Sequence, residues 1–332
     1  MAIIGIKCLR FGVDDVELCT RFFLDFGLSR IAQADVPVAF ALADGSRVEL
    51  FPVDHPELPR GVLAGQGVRQ VVWGVDTVEA LAELAGGLAA DHELVVREGV
   101  HYFLPAFGVP MGVTVWQRKP VVNAPDPLNA PGVVNRLNTH RKWRRSAQPK
   151  VINHVVFQTP DYEAATDFMC NRLGFRISDV QQGFGRYLRA NGSNNHHNIL
   201  LLNANAHLPG CDGQTRFDHM NFGVEDIDEL MIGANGMARA GWPASEIGLG
   251  RHRVDSALFY YLPFPGGGEI EYGADADYVD DNWAPRNFTN ALFGYAQFTH
   301  NIPDFLKVPP AWGVEYLPPQ NAGDNMKEEG RV

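Results

Sequence analysis

The sequence has little cysteine and a deficit of positive charge, and each shortage excludes a class of protein. Four cysteines (Cys8, Cys19, Cys170, Cys211) lie far apart without a CxxC pair. A disulfide framework and a cysteine zinc site are therefore not expected, and the thiols read as free in a reducing compartment. Against 39 Asp and Glu stand 28 Lys and Arg, a net charge of -11. General affinity for nucleic acid or an anionic membrane needs clustered basic residues, so neither partner is expected. The exception is His140-Arg141-Lys142-Trp143-Arg144-Arg145, read as packing at a domain or subunit interface. No apolar run reaches membrane-spanning length, and Met1 to Lys7 lacks a basic stretch leading into an apolar one; a cytoplasmic protein is expected. What is present is a folded composition, 45% hydrophobic and 20% charged over 332 residues, long enough for two domains.

The chain repeats itself at long period. Ile6-Lys7-Cys8-Leu9-Arg10-Phe11 matches Ile152-Asn153-His154-Val155-Val156-Phe157, each followed by a helical pattern and a glycine turn. Val68 to Asp76 matches Phe217 to Glu225 more closely. Cys8 precedes His154 by 146 residues and Gln70 precedes His219 by 149. In each half the pattern reads strand, helix, several strands, then strand and helix again. In the second half strands are expected near 151–157, 186–189, 198–202, 219–224, 257–262 and 269–273, with helices over 161–173, capped by Asp161, and from Asp226 onward. The segment 120–149, rich in Pro, Asn and charge, reads as a linker. The expected domains are 1–119 and 150–300, with an extended tail over 301–332.

His154 and His219 open equivalent β-α units of the second half, and Glu271 sits on that half's closing strand. Strands from two such units can aim these side chains into one pocket. Two neutral imidazoles and a carboxylate leave metal positions open, which suits non-haem Fe(II) and also Mn(II). All-oxygen Ca or Mg sites and four-ligand structural Zn sites are a poorer match. The first half has Cys8 and Gln70 at the histidine positions and Thr114-Val115 where the closing strand carries Glu271. Only the second half is expected to bind metal.

Residues 1 to about 300 resemble the two-domain type I extradiol ring-cleavage dioxygenases of the vicinal oxygen chelate superfamily. The resemblance is most specific in Gly250-Arg251-His252, Phe259-Tyr260-Tyr261-Leu262 and Pro265-Gly266-Gly267-Gly268-Glu269-Ile270-Glu271, where the family pattern selects Glu271 over Glu269 as ligand. Tyr260 and Phe264 depart from that pattern. The resemblance implies an α+β fold of two tandem domains, each of paired βαβββ modules curled into an open barrel around a pocket. It also implies a catecholic substrate and O2 as reactants, both oxygen atoms entering the product, and a homo-oligomer. By matching position His197 is the acid-base group, with His196 as its rival, and His252 and Tyr261 flank the substrate. The other histidines, His207 among them, have no such context. Phe184, Phe222 and Trp242 are candidates for pocket lining and Arg286 for binding a substrate carboxylate, although core packing and surface pairing are the blander roles.

Two other readings stay open. The first is another metalloenzyme of the superfamily, similar to hydroxyphenylpyruvate dioxygenase or to glyoxalases and isomerases. The second is a metal-free small-molecule-binding protein, under which His154, His219 and Glu271 need a separate explanation.

Overall fold

The computed structural model describes residues 3–318 except 34, 60 and 207–209. His207 and the last part of the expected tail, 319–332, lie outside the described residues. Among the described residues no helix is long and apolar enough to cross a membrane.

Each half runs twice through strand, helix and three strands. The first comprises β1 (Ile3–Val13), α1 (Val16–Phe26), β2 (Ser29–Ile31), β3 (Val38–Ala41) and β4 (Arg47–Pro52), then β5 (Gly67–Val75), α2 (Val78–Leu88), β6 (Val95–Arg97), β7 (Val100–Phe103) and β8 (Met111–Val115). The second comprises β9 (Val151–Thr159), α3 (Tyr162–Leu173), β10 (Arg176–Gln181), β11 (Gly185–Arg189) and β12 (Ile199–Asn203), then β13 (Arg216–Gly223), α4 (Ile227–Arg239), β14 (Gly250–Arg251), β15 (Leu258–Pro263) and β16 (Glu269–Ala274). The stretch after Tyr278 is more structured than its sequence suggests. It forms β17 (Arg286–Phe288), α5 (Ala291–Tyr295), β18 (Phe298–Thr299) and β19 (Glu315–Tyr316).

These strands make two sheets, ordered β2-β3-β4-β1-β5-β8-β7-β6 and β18-β14-β15-β16-β13-β9-β12-β11-β10-β17-β19. In each the first strands of the two modules pair antiparallel at the centre, β1 with β5 and β9 with β13. These central strands β1, β5, β9 and β13 are buried along most of their length. The second sheet curls back on itself. Val254, just past β14, packs with Tyr187, Leu200 and Phe288 from the other arm of the sheet, and Arg286 on β17 donates to the Val254 carbonyl.

The helices cover the outer faces for local reasons. In α1 the buried Cys19, Phe22, Phe23 and Phe26 fall at helical spacing, the Asp15 side chain accepts from the Leu18 amide, and Gly27 closes the helix at φ 104°. Each fully buried Phe contributes roughly 1.5–3 kcal/mol. Asp226 caps α4 by accepting from the Glu229 amide. Asp161 stands at the cap position of α3 but makes no side-chain cap hydrogen bond.

The halves meet through helices and aromatic rings. Helix α1 packs on α4 and α2 on α3. Phe26 stacks on Tyr272 at 3.8 Å, and Phe11 meets Phe217 and Phe264, each at 5.5 Å. The Tyr272 hydroxyl donates to the Phe26 carbonyl at 2.7 Å and the Trp242 indole to Asp25 at 2.9 Å. Buried side chains of both sheets belong to one continuous core.

Strand register fixes which positions correspond. Cys8 pairs with Val72 as His154 pairs with Asn221, so the repeat read from the sequence matches the register. The closing strand differs from expectation. Val72 faces Gly112 as Asn221 faces Glu271, which makes Gly112, not Thr114-Val115, the counterpart of Glu271. Likewise Tyr102 faces Gly112 as Tyr261 faces Glu271.

Candidate metal centre

His154 lies on β9, His219 on β13 and Glu271 on β16, three neighbouring strands at the centre of the curled sheet. Their ligand atoms all lie within 4.8 Å of one another. Glu271 Oε2 is 3.4 Å from His154 Nε2 and 3.7 Å from His219 Nε2, with the Glu271 side chain 1% exposed. Neither Glu271 oxygen has a hydrogen-bond partner among the described residues. A buried carboxylate left this way costs several kcal/mol. A cation between the three side chains removes that cost.

The imidazoles are oriented for the same purpose. The His219 Nδ1–H donates to Asp218 Oδ1 at 2.6 Å, and Gln158 holds the other Asp218 oxygen at 2.7 Å. This pair fixes the tautomer that leaves a lone pair on Nε2. Burial opposes the charge of Glu271, yet His154, His219 and His252 outweigh it and keep the carboxyl below the usual range. Burial lowers the His154 pKa, keeping that ring neutral as a ligand must be. For His219 burial also disfavours the charged form, but Asp218 and Glu271 raise its pKa on balance. Two imidazoles and one carboxylate fit Fe(II) or Mn(II) with positions left open.

His197 stacks on His154 at 4.0 Å. His196 points away, its Nε2–H donating to the buried Asp179 at 2.8 Å. That leaves His196 Nδ1 as an acceptor for His197 Nδ1–H at 3.2 Å, so His197 keeps its lone pair on Nε2. Burial, then the neighbouring His154 and His196, push the His197 pKa well down. Across the pocket His252 Nδ1–H donates to the Tyr295 carbonyl, and the Tyr261 hydroxyl donates to His252 Nε2 at 3.2 Å. Burial, reinforced by Glu271, raises the Tyr261 pKa far enough to keep the phenol neutral. Between these groups lies a cavity of about 140 Å³, walled by Phe184, Tyr187, Leu200 and Leu202. His154 and His197 also border a polar cavity of about 450 Å³ on their other side, so the imidazole layer separates two spaces.

Other sequence candidates fall elsewhere. Phe222 and Trp242 are buried in the shared core, and only Phe184 of the three lines the cavity. Arg286 is engaged, its guanidinium gripping Asp179 at 2.6 and 3.2 Å and lying over Trp283 at 4.9 Å; it is not free for a substrate carboxylate. The basic cluster folds onto its own chain, Arg141 pairing with Asp228, and Lys142 and Arg144 with Glu225. Asp218, Asp179 and Asp255 were not singled out from the sequence. Asp218 carried a local signal, adjacency to His219, whereas Asp179 is brought to Arg286 and His196 only by the fold. Asp255, 3.9 Å from His197, lies three residues beyond His252.

The Glyoxalase/Bleomycin resistance protein/Dioxygenase superfamily matches residues 151–257. Metapyrocatechase 2 of Cupriavidus necator is 30% identical over 160 residues, covering 48% of this chain and 47% of that protein. The iron-dependent extradiol dioxygenase of Rhodococcus jostii is 31% identical over 158 residues, covering 43% and 50%. The chain thus spans about half the length of the curated relatives it matches. Among solved structures, a Mn(II)-bound glyoxalase from Novosphingobium aromaticivorans superposes with a TM-score of 0.69 at 20% identity, over 93% of this chain and 95% of that one. A halotolerant catechol dioxygenase superposes at 0.68 with 17% identity, over 95% and 99%. The chain thus shares the fold of these solved structures over nearly its whole length, with duplicated βαβββ modules, and its residues 151–257 match the Glyoxalase/Bleomycin resistance protein/Dioxygenase superfamily.

Proposed function

We propose that the chain catalyses extradiol cleavage of a catechol by O2, with both oxygen atoms entering the product, at one Fe(II) held by His154, His219 and Glu271. The observation that carries the reading is the pair of buried Glu271 oxygens, without a hydrogen-bond partner among the described residues, beside the His154 and His219 imidazoles, which both border one small cavity. The relatives named as extradiol dioxygenases support it. Mn(II) suits the same donors, and a Mn(II)-bound protein shares the fold.

When bound, the metal would draw the catechol oxygens and O2 together and pass electron density between them. The protein's share is proton handling and confinement. Tyr261 can accept the proton of a substrate hydroxyl while releasing its own to His252 Nε2, the bond between them already in place. His197, kept neutral with Nε2 free, can take up a proton and return it to a substrate oxygen, a role worth about 10²- to 10⁴-fold in rate. Phe184, Leu200 and Leu202 exclude bulk water from the ring. At about 140 Å³ the cavity lies below the roughly 300 Å³ lower bound of drug-sized pockets, so single-ring catechols are expected to be better substrates than dihydroxybiphenyl.

The test is an oxygen electrode with anaerobically iron-reconstituted protein and a series of catechols. Stoichiometric O2 uptake with a yellow product is expected, with one iron per chain in wild type and none in His154→Ala. Absence of O2 uptake with every catechol by iron-loaded protein overturns the reading. Turnover of a glyoxalase-type substrate without O2 would replace it with the sister chemistry.

A further inference from the structure

The first half lacks the metal ligands but contains the larger cavity, about 590 Å³ against about 140 Å³. By register it is the counterpart of the metal pocket: Gln70 corresponds to His219, Tyr102 to Tyr261, and Gly112 leaves empty the place of Glu271. The ring of Tyr102 lies over Gly112, where a Cβ would come within 2.9 Å of it.

At the floor a fixed cation stands beside Gln70, the counterpart of His219. Arg10, 16% exposed, is held through Nε by Glu49 at 2.9 Å and through Nη1 by Gln70 at 3.3 Å. Its guanidinium lies 5.7 Å from the ring centres of both Phe51 and Tyr102. Neither Arg10 Nη2 nor the Tyr102 hydroxyl has a hydrogen-bond partner among the described residues. Burial raises the Tyr102 pKa, so the hydroxyl remains a donor. Phe51, Leu58 and Phe103 supply apolar walls. The charge at the mouth has the opposite sign: Asp35, Glu93 and Glu98 are exposed there, and Glu57 is paired with Arg97 at 3.5 Å.

We propose that this cavity is a second ligand site, taking an aromatic monocarboxylate whose carboxylate meets Arg10 and Tyr102 and whose far end is uncharged or cationic. A charge-assisted contact to a half-satisfied guanidinium gives direction, and the aromatic walls give contact area. The acidic mouth repels a second negative charge, so dianions are selected against.

Calorimetric titration tests the site on His154→Ala protein alongside wild type, so that binding at the other half's metal cannot contribute. Benzoate and 4-(aminomethyl)benzoate are expected to bind one per chain, equally in both proteins, with terephthalate weaker and benzylamine silent. Val95→Trp or Leu104→Trp, at half-exposed positions on the mouth, should abolish binding while the thermal midpoint stays put, and having both keeps the test available if one fails to fold. Tyr102→Phe should weaken binding by about tenfold at most, the worth of one hydrogen bond. The site is overturned if neither carboxylate binds, if the tryptophan plugs leave binding intact, or if benzylamine binds as well as benzoate. None of these readouts depends on catechol turnover.

Discussion

Glu271 is the residue on which the proposed metal site turns. Without an ion its buried oxygens have no hydrogen-bond partner among the described residues, and although burial opposes its charge, the neighbouring imidazoles hold it. A depressed carboxyl stabilises the folded state above its unfolded pKa, so metal-free Glu271→Gln is expected to be less stable than metal-free wild type at neutral pH. Adding Fe(II) or Mn(II) at 100 times its Kd should stabilise wild type by about 2.7 kcal/mol, a thermal shift of roughly 4 °C for a chain of this length, and leave the variant unmoved. Equal shifts in the two proteins would show that the ion sits elsewhere. Loss of Arg286 would strand the fully buried Asp179. Arg286→Ala should cost about 3–5 kcal/mol in denaturant unfolding; a change below about 0.5 kcal/mol, the range of ordinary surface substitutions, would remove Asp179 from the frame of the site. The histidines were legible in the sequence because the repeat supplied an internal comparison, and Glu271 because the Pro265 to Gly268 turn before it follows the resembled family's pattern. Asp179 was not, since its partner Arg286 is 107 residues away and nothing local marks the pair.

At the scale of elements, the segment between the sheets is clamped to the start of α4. Glu225 accepts from the Ala124 amide at 2.5 Å and pairs with Lys142 and Arg144. Burial opposes the Glu225 charge, but these partners hold its carboxyl down at about 2, against an ordinary 4.5. A depressed carboxyl stabilises the folded state above its unfolded pKa and loses that contribution as pH falls towards the folded one. The clamp should thus be complete at pH 6 and loosen between about 4.5 and 2. Hydrogen exchange over residues 123–145, corrected for intrinsic rate, should speed up across that window, and Glu225→Gln should reproduce the effect at pH 6. Unchanged protection in the variant would rule the clamp out. The long strands around the site were readable from apolar runs bounded by glycine turns. Strands β17, β18 and β19, of two or three residues each, are too short to show a period, which is why no strand was expected beyond 269–273. The assignment of Thr114-Val115 opposite Glu271 slipped because loops of unequal length separate the modules, and apolar pattern alone does not carry register across them.

For the whole molecule, the continuous core means that neither sheet buries its helical face alone. Phe26 on Tyr272, Phe11 between Phe217 and Phe264, and Trp73 on Phe175 all cross between halves. Calorimetry on the full chain should show a single unfolding transition, and Phe26→Ala should lower the midpoint of the whole by removing about 3–5 kcal/mol. Two resolved transitions, only one of them shifted, would mean that the halves fold independently. The fold class was legible because duplication shows in the sequence. The sharing of one core was not, since an apolar helix face reads the same whichever sheet it covers.

Glu271 also bears on time. Its strand is hydrogen-bonded on both sides, by β13 and by β15, so folding sets the ligand cage and no ion is needed to shape it. An ion held there would come and go through the cavities that His154 and His219 border, so dialysis of folded protein against a different metal should replace the one it carries without unfolding.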